Sequence, residues 1–514
     1  MVASAHPVAT AAGARVLDDG GNAFDAALAM AAVTAVVLPA QCGIGGDAFA
    51  VVRDGRTGAI SALHGSGFGP DGADLSFFSD RGLDAVPLTG PWSIAVPGAV
   101  STLEALADLG ATRPLRELFA PAIDLARRGV ALSRKNAVDL AGCASMLADD
   151  PGCSAVFAPE GRVVREGEVL VQADLASTLE AVAADPAAFY RGALAERLVS
   201  GLRALGAPFS GEEWAAQRAR VTPPVTARYA GHDVYVNAPP SPGYMIAQQL
   251  GLCGDELSRT DLLGARAVAT MARAAIRSFA DRFALVGSDQ EAWRTLLDER
   301  VLESARAALG ASGLTAPLRG AGDTTSFVVV DADLNAVSFI HSNAFTFGSG
   351  ITVPGTGVVM NNRLARGAYL IEGHPNALAP RRRPMSTLCA WIATAPDGAL
   401  RAVGNTPGGD GQVQWNVQLL SHVLDHGLEP QDAVDAPRFS VSPGSDANAI
   451  DAPLRVSCEA RIGAEVTDAL LDDGLPAALV GPWAGGGGAQ LVEMRSGALY
   501  GGSDSRQDGH ALGA

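Results

Sequence analysis

The sequence predicts a mixed α/β (α+β) fold in which two stacked sheets lie between helical layers. Three observations predict it: helical patterning fills the N-terminal region and returns between about Pro114 and Leu205, strand patterning leads after residue 324, and one clear helix interrupts those strands from about Val413 to His426. No Pro/Gly/Ser linker, charge block or internal repeat divides the 514 residues, so the chain reads as one unit.

Each element follows from local chemistry. Val8 to Asp19 reads as a helix closed by Gly20-Gly21, and a second helix runs from about Ala23 to Leu38 before Pro39. The apolar run Ala26 to Leu38, broken only by Thr34, falls short of the roughly 20 residues that span a bilayer and reads as a buried helix. Pro223 to Val236 alternates as strand, and Asn237-Ala238-Pro239-Pro240-Ser241-Pro242-Gly243 is a rigid polar loop. The apolar run Phe327-Val328-Val329-Val330 precedes the turn residues Asp331-Ala332-Asp333-Leu334-Asn335 and a second apolar stretch, Ala336 to Ile340, which makes a hairpin. Its second strand continues into His341-Ser342-Asn343, returning polar groups to the start of the first.

Composition narrows the function. At 48% hydrophobic and 18% charged the chain can bury a large core. With 38 Lys plus Arg against 55 Asp plus Glu, the formal charge of −17 argues against nucleic-acid and anionic-membrane partners and favours a small-molecule substrate. The chain opens Met-Val-Ala-Ser-Ala-His-Pro with Arg15 as its first cation, so no secretory signal is expected. Six cysteines, at 42, 143, 153, 253, 389 and 458, show no close pairing; neither a disulfide framework, a zinc site nor any cofactor is indicated, and a cytoplasmic location is expected.

Gly322-Asp323-Thr324-Thr325 delivers a threonine to the start of the buried hairpin. Threonine there is also an ordinary strand residue. If the chain is cut before Thr324, however, that residue gains an α-amine of pKa about 7.7–8.0 beside its own hydroxyl, and one residue then carries nucleophile and base. Pro407-Gly408-Gly409 ends a short apolar stretch before the Val413 helix, where glycine lets backbone amides approach a ligand and also suits any strand-to-helix turn. Three other patterns carry little. Gly67-Phe68-Gly69-Pro70-Asp71-Gly72 matches a dinucleotide pattern literally but lacks a βαβ setting, so it reads as a turn. His422 and His426 read as helix-surface histidines, and Arg381-Arg382-Arg383 as a solvated run or an anion-attracting rim.

Taken together, these motifs resemble the γ-glutamyltranspeptidase family of N-terminal-nucleophile hydrolases. The resemblance is carried by Gly-Asp-Thr-Thr at 322–325, Phe347-Gly348-Ser349-Gly350, Pro354-Gly355-Thr356-Gly357 with Asn361-Asn362, Arg383-Pro384-Met385-Ser386-Thr387, Pro407-Gly408-Gly409 and Ala433-Val434-Asp435-Ala436-Pro437-Arg438-Phe439. In the N-terminal part it is carried by His6-Pro7, Gly20-Gly21-Asn22-Ala23, Gly43-Ile44-Gly45-Gly46, Val96-Pro97-Gly98 and Tyr190-Arg191-Gly192, and near the other end by Gly502-Ser503-Asp504. It is weakest around residues 250–320. The resemblance implies a four-layer αββα sandwich and autocleavage between Asp323 and Thr324 into a large part, 1–323, and a small catalytic part, 324–514, that remain together as a heterodimer. It also implies Thr324 as nucleophile, Ser342 as a supporting hydroxyl, Gly408 and Gly409 as oxyanion donors, and Ser386 and Thr387 on the substrate.

The departures point to a rebuilt pocket. Where γ-glutamyl enzymes of the family place an arginine that clamps the substrate α-carboxylate, this chain has Ser66; where they place the acid that meets the α-ammonium it has Arg366, and in the preceding glutamine position Arg363. The family's asparagine ligand is offset, with Ala344 in register and Asn343 one place earlier. Guanidinium groups repel an ammonium and attract a carboxylate. With Gly373-His374-Pro375-Asn376-Ala377-Leu378-Ala379-Pro380 and Gly408-Gly409-Asp410, the local pattern is more similar to a side branch that includes oxamate amidohydrolases and cephalosporin-acylase-like proteins. Relatives of that branch in antibiotic pathways hydrolyse a carbon–carbon bond beside an oxalyl-type carbonyl. The expected activity is cleavage of a small carboxylate-bearing acyl group from an amide-like substrate, with Asn343, Arg363, Arg366, Ser386 and Thr387 on the acyl group. Ordinary γ-glutamyl hydrolysis or transfer, hydrolytic carbon–carbon cleavage and a non-catalytic metabolite-binding role are the alternatives.

Overall fold

The computed structural model describes residues 1–309, 324–445 and 452–514. Strand β1 (Val2–Ser4) leads into helices α1 (Pro7–Asp18) and α2 (Ala23–Val37). Pro7 opens α1, where its missing amide proton leaves no bond unmade. Helix α2 opens on a capping box: Asn22 Oδ1 accepts from the amides of Phe24 and Asp25, and the Asp25 carboxylate accepts from the Asn22 amide. Every residue of α2 is buried, which accounts for its apolar character on all sides.

Strands β2 (Asp47–Arg53) and β3 (Ile60–Gly65) follow, then helices α3 (Ala99–Gly110), α4 (Leu115–Arg128), α5 (Arg134–Gly142) and α6 (Ala173–Ala184). The segment expected as strand from Pro223 is preceded by β4 (Arg220–Thr222) and is itself a hairpin, β5 (Val225–Tyr229) and β6 (His232–Val236), turning at Ala230-Gly231, both at positive φ. Helices α7 (Gly243–Cys253) and α8 (Ala265–Leu285) come next. The hairpin after Thr324 is β7 (Thr325–Val330) and β8 (Ala336–Ser342). Beyond it lie α9 (Arg363–Gly367), β9 (Ala390–Thr394), β10 (Leu400–Asn405), α10 (Gly411–Leu424), β11 (Gln490–Arg495), β12 (Ala498–Ser503) and β13 (His510–Leu512).

These strands form two antiparallel sheets. One has the order β13-β1-β7-β8-β2-β3-β4 and the other β12-β11-β10-β9-β6-β5. The central strands of the first sheet, β7 and β8 among them, are buried on both faces. Phe327, Val329, Val337 and Phe339 pack outward with α2, α4 and α6, whereas Val328, Val330 and Ile340 face Ile392 and Val403 of the second sheet. Helices α7, α8 and α10 cover the other face of the second sheet, completing the αββα sandwich. Double burial explains the unbroken apolar runs of β7 and β8, since neither face needs polar residues.

Two asparagines tie the sheets together. Asn405 Nδ2 donates to Phe327 O, Phe339 O and Ser338 Oγ, and Asn237 Nδ2 reaches Ala50 O and Leu63 O while its Oδ1 accepts from the Ala390 amide. Asp331 organises the hairpin turn: its carboxylate accepts from the amides of Asp333 and Asn335, from Asn335 Nδ2 and, across the fold, from the Ala23 amide that starts α2. Replacing Asp331 with Ala strands these donors where they are largely shielded. The variant should lose about 2–4 kcal/mol of unfolding free energy in chemical denaturation, and a loss below about 0.5 kcal/mol would show that water replaces the carboxylate freely.

Candidate active site

Thr324 stands immediately before β7 and is buried. Its Oγ1 donates to Ser342 Oγ at 3.0 Å, across the hairpin at the end of β8. Ser342 Oγ also accepts from the Ala344 amide at 2.8 Å. That amide is turned inward by a positive φ of 83° at Ala344, a strained conformation for a residue with a Cβ and one that clusters at functional sites. His341, next to Ser342, hydrogen-bonds Thr34 Oγ1 at 2.9 Å, and burial pushes its pKa down to about 3. Its ring is therefore neutral at pH 7. Asp323, the other side of the expected cleavage site, lies outside the described residues.

Gly408 and Thr324 line one cavity of about 380 Å³. Gly408 and Gly409 have φ of 122° and 59°, conformations that side chains resist, and a Cβ on Gly408 would collide with the Trp415 ring. Among the described residues no acceptor takes either glycine's amide proton, while their carbonyls accept from Gly411 and Gln412 at the start of α10. Both amides stand just before α10, at its positive end, and Gly408 lines the cavity that Thr324 lines.

Behind the hairpin lies a cluster of buried arginines. Ser342 pairs across the sheet with Asp47, whose Oδ2 takes Arg363 Nε at 2.8 Å. Both groups are fully buried, and the two Nη atoms of Arg363 have no partner among the described residues. Burial pushes the Asp47 carboxyl up against the pull of Arg363; burial likewise lowers the Arg363 guanidinium, Asp47 opposes this, and Arg366 and Arg282 add to the lowering. Arg366 lies over the Phe345 ring, 4.4 Å from its centroid, with Nη1 directed at Ala344 O at 3.4 Å. Asn343 is buried beside them, its Oδ1 without a partner among the described residues. Ser386 and Thr387 are buried on the loop before β9, which the Met385 amide ties to Gly367 at the end of α9; Arg282 Nη2 donates to Ser386 O.

The fold therefore gathers Thr324, Ser342, Asn343, Arg363 and Arg366 around one hairpin, with Ser386 and Thr387 on an adjoining loop. None of Asn343, Arg363, Arg366, Ser386 and Thr387 lines the cavity that Thr324 shares with Gly408. Asp47 and Arg282 are additions that the sequence reading missed. Asp47 directly follows the Gly43-Ile44-Gly45-Gly46 motif, a position that signals a loop packed against something, but its partner is 316 residues away. Asn361 and Asn362 brace the surrounding loops: Asn361 bonds Gly45 O, Ala95 O and the amides of Ala95 and Arg363, and Asn362 bonds the Phe345 amide and Leu88 O.

Two expectations require correction. Arg381 pairs with Asp71 and Glu212, Arg382 with Asp289, and Arg383 is buried against Ser66 O, Gln217 and the Phe68 ring, so the run braces loops and forms no anion-attracting rim. His422 is not on a helix surface. It is buried on α10 with Nδ1 near Ala433 O, and burial pushes its pKa down to about 4. Residues 67–72 form a loop between β3, which pairs antiparallel with both of its neighbours, and the short helix Leu75–Ser79, so no βαβ unit surrounds them.

The cavity's other wall is a glycine-rich loop, residues 485–488, resting on a buried ion network. Arg438 and Arg506 pair with Asp504; Arg506 also pairs with Glu459, while Gly485 donates to Glu459 and Arg438 to Gly486 O. Burial alone would push the Asp504 carboxyl up, but the two guanidinium groups outweigh it and hold the pKa below the ordinary range.

Comparison with known proteins identifies close likenesses. Residues 9–514 match the family model described as gamma-glutamyltranspeptidase. The chain is 34% identical to the glutathione hydrolase-like YwrD proenzyme of Bacillus subtilis and 32% identical to the oxamate amidohydrolase proenzyme of Klebsiella pneumoniae, covering in each case 100% of this chain and 98% of the relative. The crystal structure of cephalosporin acylase from Bacillus halodurans superposes with a TM-score of 0.89 at 29% identity, covering 100% of this chain and 96% of that one. Among the described residues no helix is long and apolar enough to cross a membrane.

The Asp504 network yields a pH-dependent outcome. A carboxylate with a depressed folded-state pKa stabilises the fold above its unfolded value, about 4, and loses that contribution as pH falls through the folded value. Asp504→Asn should cost about 3–5 kcal/mol at pH 7, because it leaves buried arginine charge uncompensated. The gap between the variant and the parent should narrow below about pH 4; a gap independent of pH would rule out the ion pair as its source.

Proposed function

Since the chain belongs to the γ-glutamyltranspeptidase family, we propose that it is a self-processing amidohydrolase that cleaves a small, carboxylate-bearing acyl group from an amide-like partner. The observation that carries this reading is the 3.0 Å bond from Thr324 Oγ1 to Ser342 Oγ at the wall of a cavity shared with Gly408. Scission of the Asp323–Thr324 bond frees the Thr324 α-amine. The amine takes the Oγ1 proton as that oxygen bonds to the substrate carbonyl carbon, and the amides of Gly408 and Gly409 donate to the oxyanion. The proton then passes to the departing nitrogen as the C–N bond breaks, and water releases the acyl group by the same steps. Ser342 keeps the hydroxyl oriented. The neutral, hydrogen-bonded His341 leaves the amine as the better base.

The acyl carboxylate is assigned to Arg363 and Arg366, with Asn343, Ser386 and Thr387 around it. The two buried Nη atoms of Arg363 have no partner among the described residues, and Arg366 and Arg282 act on it as further cations, an arrangement that favours an anionic acyl group. The names of relatives divide on this point, since glutathione hydrolases and an oxamate amidohydrolase both resemble the chain. A γ-glutamyl group adds an ammonium. At roughly 4 Å and an effective dielectric of about 20, its repulsion from one guanidinium is about 4 kcal/mol, near a thousandfold in affinity. After scission the parts 1–323 and 324–514 stay together as a heterodimer.

Two outcomes test this reading. The purified protein should separate into two bands on a denaturing gel without added protease, and Thr324→Ala should remain whole and inactive; a fully active uncut chain would sink the mechanism. Oxalyl or glutaryl amides should be turned over with higher kcat/KM than the γ-glutamyl counterpart, and Arg366→Asp should narrow or invert that preference. Efficient γ-glutamyl turnover, unimproved by the Asp variant, would place Arg366 away from the acyl group.

A further inference from the structure

A second cavity, of about 780 Å³, lies where the chain passes from one sheet to the other. One part of its lining is the end of β4, the outermost strand of the first sheet, followed by Pro223-Pro224 and the start of β5, the outermost strand of the second. Another part comes from residues 288–297, which follow α8. No lining residue is shared with the cavity of Thr324, and none is among those assigned to the reaction or the acyl group.

Four charged side chains line this cavity, and three of them are paired. Asp289 meets Arg382 Nε at 3.3 Å, and Glu291 pairs with Arg294, whose guanidinium also lies 4.5 Å from the Trp293 ring centroid. The fourth, Arg220, has no carboxylate partner among the described residues. The strand register sets Arg220 directly opposite His64 of β3, so the two side chains stand together on one face of the sheet. His64 is buried: Nε2 hydrogen-bonds Thr222 Oγ1 at 2.8 Å, and Nδ1 has no partner among the described residues. Burial, and then the charges of Arg220 and Arg383, push its pKa down to about 3, so the ring is neutral at pH 7. A neutral ring that accepts from Thr222 at Nε2 carries its proton on Nδ1 and has it to donate. Ser288, also buried, has an unpartnered hydroxyl among the described residues. One unpaired cation and two unpartnered donors thus line a single cavity, the set that a carboxylate satisfies. Pro223, Pro239 and Leu297 give the same cavity apolar lining.

We propose that this cavity is a second binding site, for a small organic acid: Arg220, the His64 ring and the Ser288 hydroxyl hold its carboxylate, and Pro223, Pro239 and Leu297 pack against its apolar body. The site stands independently of the reaction at Thr324. It also borders the loop that carries Ser386 and Thr387. Asp289 is paired with Arg382 of that loop, and Pro240, next to the lining residue Pro239, accepts from the Ser386 amide at 2.8 Å. An acid seated here rests against two segments tied to that loop.

The test is calorimetric titration of the purified full chain with benzoate, benzamide and inorganic phosphate. Benzoate should bind about tenfold more tightly than benzamide, which is close to it in shape but uncharged; that ratio is the scale of one charge-assisted hydrogen bond. Phosphate, which brings charge without an apolar body, should bind more weakly than benzoate. Arg220→Gln should bring benzoate to within about threefold of benzamide, Arg220→Lys should keep most of the preference, and Ser288→Ala should weaken benzoate by about three- to tenfold. Arg220 is exposed, so its variants should keep the Tm of the parent, which separates lost binding from lost fold. No binding of benzoate, equal binding of benzamide, phosphate bound as tightly as benzoate, or a preference that survives Arg220→Gln overturns the proposal.

Discussion

The site depends on the β7–β8 hairpin being buried on both faces. A strand with one wet face tolerates slippage, but here any shift by one residue would exchange the side chains facing the helices for those facing the second sheet. The register is therefore fixed, with Phe339 opposite Phe327, His341 opposite Thr325 and Ser342 opposite Asp47. That register determines where the Thr324 hydroxyl sits, which hydroxyl it meets and which buried carboxylate lies alongside. The strained backbone at Ala344 persists because the packed strand preceding it leaves little room to relax.

Two groups of buried charge flank the hairpin and differ in balance. Under the glycine-rich loop, Asp504 is paired with Arg438 and Arg506 and Glu459 with Arg506 and Arg461, and the result is a rigid support. Around Arg363, Nε is paired with Asp47 and both Nη atoms are left without partners among the described residues. Burial of charge is tolerated in the first group because compensation is internal. In the second the Arg363 Nη atoms lack it among the described residues, which is the condition under which a bound anion gains most.

Much of this organisation is legible in the sequence. The hairpin, α1, α2 and α10 follow from apolar periodicity and turn residues, which are local signals, and the glycines at 408 and 409 stand where only a positive φ serves. Asp47 and Arg282 are harder to read. Each takes its meaning from groups far along the chain, as with the 316-residue separation of Asp47 and Arg363. Arg383 and His422 were misread for the opposite reason: charged and polar side chains default to the surface in a local reading, and it takes distant carbonyls and ring faces to draw them inside.

The strand order has a consequence for the proposed two-part protein. A break before Thr324 divides the first sheet into alternating contributions: β13 and then β1, the pair β7–β8, and then β2, β3 and β4. Backbone hydrogen bonds cross from one part to the other at β13–β1, β1–β7 and β8–β2, and again at β9–β6 in the second sheet. Neither part can leave without exposing several raw strand edges at once. The severed chain is thus interlocked by its topology, and it should melt in a single cooperative transition with the two pieces separating only as both unfold.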